Sequence, residues 1–259
     1  MRVSASSLRQ IPTVECGFQP LPQKMSGVLL QGRIILTSQD LPTELIEIGS
    51  QYPNFWYCQR LSGLEPSEQE NLLQKTGLDA IEQNERDLLL RIGTAYQGHP
   101  LALRTIYGEI LNDFRGNVLI YWDEFGSEIE TVEQALELVT QSGKYDGSQD
   151  RWKLDNYSIT LRRFVKTRLE KTFQRLKQSN YAGYFLLCIA STYRCPVKES
   201  WWLEHLEYEE YRSEQQSAAL QTLKDRFLIE EVLDERKGRL IGQHNLIRSV
   251  AIAHRQTLD

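Results

Sequence analysis

The hydrophobic period of this chain changes near residue 64, and that change limits its fold more than any other feature. Before it, apolar residues come in short β-type runs, Arg33-Ile34-Ile35-Leu36-Thr37-Ser38 and Phe55-Trp56-Tyr57-Cys58. The first run has the character of a strand buried on both faces, as in a parallel sheet. Residues 1–32, punctuated by Pro12, Gly17, Pro20, Pro22 and Gly27, offer few neighbouring strands for it. Residues 1–60 therefore read as a partial α/β edge. After residue 64 the period is 3.6, and the expected fold class is mainly α.

Helix punctuation supports that period. Glu65-Pro66 opens a helix and Gly77 closes it. Arg86–Tyr96 carries Leu88, Leu89, Ile92 and Ala95, with Gly98 as the residue that ends it. Pro100–Phe114 follows, then a helix capped by Asn117, then another over Glu128–Gln141. The polar stretch Lys144–Asp150 reads as a linker, so residues 61–143 form a helical subdomain. Beyond the linker, helices are expected near Ile159–Lys177, Tyr181–Tyr193 and Glu214–Arg226. Phe227–Val232, a turn at Asp234–Gly238 and Arg239–Ile241 spell a hairpin, and Leu246–His254 a last helix. Three helices, a hairpin and a closing helix give the order of a winged-helix subdomain over residues 151–259.

Charge divides the chain at the same linker. Residues 151–259 hold 19 Lys+Arg against 14 Asp+Glu, while residues 1–150 hold 11 against 21. With 41% hydrophobic and 25% charged residues the 259-residue chain is globular. It carries no run long enough to span a bilayer and no apolar secretory core near Met1. Cys16, Cys58, Cys188 and Cys195 form no CxxC pair, and the four histidines are scattered, so neither a disulfide framework nor a metal site is expected. The expectation is a cytoplasmic protein with reduced thiols.

Catalytic machinery is missing from the pattern. Gly27-Val28-Leu29-Leu30-Gln31-Gly32 has the glycine spacing of a phosphate-binding loop, but Arg33-Ile34 stands where lysine and a hydroxyl residue are required. No apolar strand ends in paired acids. Glu230-Glu231 falls in the hairpin, where a solvated pair is the simplest reading. There is no nucleophile elbow and no HExxH. The chain is not expected to be an enzyme on its own.

Three short motifs occur in series: Gly32–Ser38, Gly98-His99-Pro100-Leu101-Ala102-Leu103, and Gln243-His244-Asn245 just after the hairpin. Their order and intervals resemble the later part of the NB-ARC family of STAND-class signal-transduction NTPases, in particular its bacterial, cyanobacterial-type members. That family shows a strand ending Thr-Thr/Ser-Arg, a GLPLA motif in a helical subdomain, and an MHD motif in a winged-helix subdomain. The resemblance spans about residues 30–255. It implies that residues 1–60 are a remnant of an α/β nucleotide-binding domain, and that the chain is the regulatory, nucleotide-sensing part of an ATPase switch. By the same resemblance Pro100 packs on adenine, His244 reaches the ADP β-phosphate, and Thr37 and Ser38 face the nucleotide from the end of the strand. ADP or ATP is then the ligand, dependent on a phosphate-loop half that residues 1–259 lack, and the partner is that half or a signalling protein. Gln39 replaces the family's sensor arginine and cannot supply its charge. Gln243 and Asn245 replace the Met and Asp of MHD.

Each motif residue also has a plain structural role. Gly98 ends a helix and Pro100 pre-sets φ for the next. His244 caps the last helix or fills an interface. Thr37 and Ser38 serve as ordinary strand-to-loop residues, and Trp201 and Trp202 as packing. The rival reading is DNA binding by the winged helix, carried by Arg162, Arg163, Lys166, Arg168, Lys171, Arg175 and Lys177. Against it, the approach to the recognition helix is acidic, at Glu204, Glu207, Glu209, Glu210 and Glu214. The third alternative is an interaction module without a ligand.

Overall fold

The computed structural model describes residues 62–78, 82–142 and 156–258, with Gln51, Tyr52, Asn54 and Tyr57. Every element named below lies in the unit Pro53–Asp259. Thr37, Ser38, Gln39, the glycine pair at Gly27 and Gly32, and the expected strands before residue 60 lie outside the described residues.

The described chain is mainly helical. Helix α1 is Pro66–Thr76, α2 Gln83–Ala95, α3 Pro100–Asp113 and α4 Val118–Ser142. The punctuation explains their ends. Glu65 and Glu68 form a capping box, Pro66 occupies the first turn, and Gly77 ends α1 at φ 85°. Asn117 caps α4 by accepting from the Ile120 amide at 2.9 Å. Helix α4 corrects the expectation of two helices here. Tyr121, Phe125, Ile129, Val132 and Leu136 are all buried, and their 3–4-residue spacing runs straight through the proposed break. Nothing there ends a helix: Gly126 costs helix propensity without interrupting the apolar stripe.

Helix α5 (Asn156–Ser179) leads into α6 (Tyr181–Ile189) and a 3₁₀ turn at Ala190–Thr192. Strand β1 (Val197–Lys198), α7 (Glu199–Tyr208), α8 (Ser213–Asp225), β2 (Glu230–Asp234), β3 (Gly238–Gly242) and α9 (Asn245–Arg255) complete the order. The sheet is antiparallel in the order β1-β3-β2, with Val197 opposite Ile241 and Val232 opposite Leu240. The expected hairpin is present, its turn tightened by Asp234, whose carboxylate accepts from the Arg236 and Lys237 amides at 2.9 Å. Helix α7 and strand β1 are additions to the sequence reading. The strand is too short to leave a pattern. The helix buries only Trp202 and Leu206, an i,i+4 pair within an acid-rich stretch. Trp202 is core and Trp201 is half exposed, as packing residues should be.

Helix α3 is buried nearly all round, and α5 crosses it through a buried ionic cluster. Glu109 of α3 pairs with Arg168 of α5 and accepts from the Thr172 hydroxyl at 2.5 Å. Arg168 also reaches Glu128 of α4 at 3.3 Å, which Lys171 meets at 2.7 Å. The guanidinium lies 4.1 Å from the Phe125 ring centroid. One turn further along α3, Arg226 holds Asp113 at 2.5 Å, and Gly108 packs on the Arg226 backbone. Three of the basic residues that carry the DNA reading are thus paired: Arg168, which is buried, Lys171 and Arg175 meet Glu109, Glu128 and Glu124.

Candidate functional site

The second and third sequence motifs each fall at a helix N-terminus. His99 is the N-cap of α3, its Nδ1 accepting from the Ala102 amide at 3.4 Å, with Pro100 at the first helical position. His244 is the N-cap of α9, its Nδ1 accepting from the Leu246 amide at 3.2 Å. Both roles follow from helix physics, since a first-turn amide needs an acceptor. Accepting at Nδ1 fixes the proton of each neutral ring at Nε2. Pro100 is exposed, whereas His99 and His244 are half-buried.

The two histidines are linked by charge: His244 acts on His99. Burial lowers the His99 pKa, the charge of a protonated His244 lowers it further, and Arg162 acts the same way. Burial also lowers the His244 pKa; Arg104 adds to this effect and Glu230 opposes it. Arg104 stands one helical turn beyond Pro100, its guanidinium 5.3 Å from the Phe227 ring centroid. Gln243 anchors the approach to α9 by donating to the Leu187 carbonyl at 2.5 Å, and Arg248 donates to the Ser191 carbonyl at 2.8 Å. His99 and Arg104 were not singled out from sequence. The available signal was the repeated start His-x-Leu, in His99-Pro100-Leu101 and His244-Asn245-Leu246, each opening a helix.

Chemically, this arrangement favours an anion. Both imidazoles stand at positive helix ends, and of the side chains acting on them Arg104 and Arg162 are positive and Glu230 is negative. Among the described residues no group of His, Cys, Asp and Glu is placed to hold a metal ion. Cys188 and Cys195 are free thiols, and burial pushes the Cys188 thiol up to about 12, which favours its protonated form. No described helix is long and apolar enough to cross a membrane.

The helix face that the DNA reading requires is acidic rather than basic. The exposed residues along α8 include Glu214 and Asp225 but no lysine or arginine, and Lys224 is held by Glu199 and Glu231 at 3.0 Å.

No family model matches the sequence, and no curated protein matches it. The likeness to NB-ARC proteins therefore rests on the motif residues.

Acid is expected to weaken this junction. Unfolded histidine titrates near ~6.5. Both folded values lie lower, so below ~6.5 the unfolded chain binds more protons. Stability is full above that pH and falls as pH drops through the window toward the folded values. A His99→Asn/His244→Asn variant keeps both cap acceptors and removes both titrations. Urea unfolding at pH 7.5 and 5.5 should show the larger loss in the wild type; equal losses would remove the histidine pair from the account.

Proposed function

We propose that this chain is the nucleotide-sensing, regulatory portion of an NB-ARC-type ATPase switch. In this reading it binds ADP jointly with a phosphate-binding half supplied from outside residues 1–259 and signals through protein contacts. The observation that carries the reading is that the charge of His244 acts on His99, the residue beside Pro100. Residues from two motifs far apart in sequence share one anion-favouring junction. The order of the last elements, helix–strand–helix–helix–strand–strand, supports a winged-helix subdomain over residues 151–259, and α1–α4 support a helical subdomain over 61–143. Residues 1–60 complete the reading as the α/β remnant, with Thr37 and Ser38 facing the nucleotide. The proposed compartment is the cytoplasm.

Within the junction, the exposed ring of Pro100 offers a flat apolar surface for adenine. The Nε2–H of His244 points a donor at the β-phosphate, and Arg104 supplies charge. No lysine of a phosphate loop is present to grip the γ-phosphate, so the chain turns over no ATP by itself. Each missing charge-assisted bond is worth roughly 1.5–3 kcal/mol, so losing several weakens binding by orders of magnitude.

Calorimetric titration with ADP, with and without a co-expressed phosphate-loop fragment, tests this. The lone chain is expected to bind at millimolar strength or weaker, and the pair far more tightly. His244→Asn should lower the restored affinity about tenfold while keeping the cap of α9. Tight ADP binding by the lone chain would contradict the assignment of the phosphate grip. Salt-sensitive duplex binding, abolished by charge reversal at Arg162 and Arg163, would favour the DNA alternative.

A further inference from the structure

Tyr107 is 2% exposed on α3, and its hydroxyl makes no hydrogen bond among the described residues. Burial alone pushes the phenol up to about 12. Buried hydroxyls are nearly always paired, because a donor removed from water without a partner costs stability; the Tyr107 oxygen is not one of the fully buried atoms without a partner, so solvent reaches it. Tyr107 is different because it lines a cavity of about 160 Å³ between α1, α2 and α3, seven residues beyond Pro100.

The cavity has an apolar floor and a neutral mouth. Leu73 and Leu89 are 7% and 2% exposed. At the mouth, Glu70 and Arg86 neutralise each other across 3.2 Å, beside the half-exposed Leu90. Gln69 does not satisfy the phenol. Its Nε2 donates to the Leu64 carbonyl at 2.7 Å, and no hydrogen bond joins its side chain to Tyr107 among the described residues. That leaves one donor without a protein partner in a cavity whose lining mixes leucines with Gln69 and Gln83, and whose charged pair carries no net charge. Cavities of roughly this size, ~150 Å³, take benzene-sized guests.

We propose that this cavity is a binding site for a small uncharged organic ligand. Its apolar body is of benzene size, and it carries one hydrogen-bond acceptor that meets the Tyr107 hydroxyl. The ion pair at the mouth leaves no charge to hold an ionic ligand, and the leucine floor favours an apolar body. The single free donor selects for a carbonyl or ether oxygen over a hydrocarbon. This site shares α3 with the His99 junction but none of its residues.

Cyclohexanone is a suitable probe, with methylcyclohexane as its hydrocarbon match. Titration of the full chain is followed through the methyl resonances of Leu73 and Leu89. Saturable shifts at about millimolar strength are expected for cyclohexanone, with about fivefold weaker binding of methylcyclohexane. Tyr107→Phe should erase that preference while still binding both, and should melt close to the wild type, because the hydroxyl it removes has no partner in the protein. Leu73→Trp, which fills the space, should abolish both titrations. Absence of saturation by cyclohexanone would overturn the proposal, as would a preference that persists in Tyr107→Phe.

Discussion

Replacing Glu109 with alanine is expected to lower the unfolding free energy by about 3–5 kcal/mol. Glu109 and Arg168 are 0% and 1% exposed, so neither charge can be rehydrated in the folded chain. Burial already pulls the Arg168 pKa down to about 10, and its Nε has no hydrogen-bond partner. The remaining counter-charge is Glu128 at 3.3 Å, which also serves Lys171. Without Glu109, a guanidinium stays buried against the Phe125 ring with half a counter-ion, and the Thr172 hydroxyl loses its acceptor. The sign reverses when both charges go. Arg168→Met in the Glu109→Ala background removes the stranded charge and fills its space, so most of the loss should return. Urea unfolding of the two single variants and the double measures the coupling. A loss below about 1 kcal/mol for Glu109→Ala would mean that water reaches the cluster.

The same cluster shows where sequence reasoning stops. Helices α1 to α3 were legible because their ends are written in local chemistry: Glu65-Pro66, Gly77, Gly98-His99-Pro100. Arg168 was not, because it was counted with Arg162, Arg163 and Lys166 on one charged face. Its position argued otherwise. It sits between Val165 and Thr172 on the stripe that Leu169, Phe173 and Leu176 continue, all buried. A charge on an apolar stripe needs a counter-charge, but Glu109 lies 59 residues earlier on another helix, and no local rule links them. The junction divides in the same way. Capping by His244 and the place of Pro100 are local and were legible; the action of the His244 charge on His99 is tertiary and was not. Helix α7 failed for a third reason, since two buried side chains are too few to establish a period.

Replacing Gly98 with alanine is expected to cost about 2–4 kcal/mol, more than a glycine-to-alanine change at an ordinary helix end. Gly98 has φ 63°, and a Cβ there would lie 2.2 Å from the Leu64 carbonyl oxygen and 2.5 Å from the Leu64 nitrogen. The obstacle is backbone, so no rotamer change relieves it. The crossing is also bonded, because the Leu64 amide donates to the Gly98 carbonyl at 2.8 Å. Gly63 faces the same crossing from the other side, its would-be Cβ 1.7 Å from the Gln97 carbonyl oxygen. Two strands of chain pass at glycine distance immediately before the His99 cap. The glycine of this motif therefore has a steric reason that needs no ligand. Gly77→Ala separates strain from clash. Its φ is 85°, but nothing lies within 4 Å of the added Cβ, so only the left-handed penalty of about 1 kcal/mol applies. Denaturation of both variants should leave Gly98→Ala clearly the weaker. Equal losses would show that the Leu64 crossing opens freely and that conformation alone selects glycine at position 98.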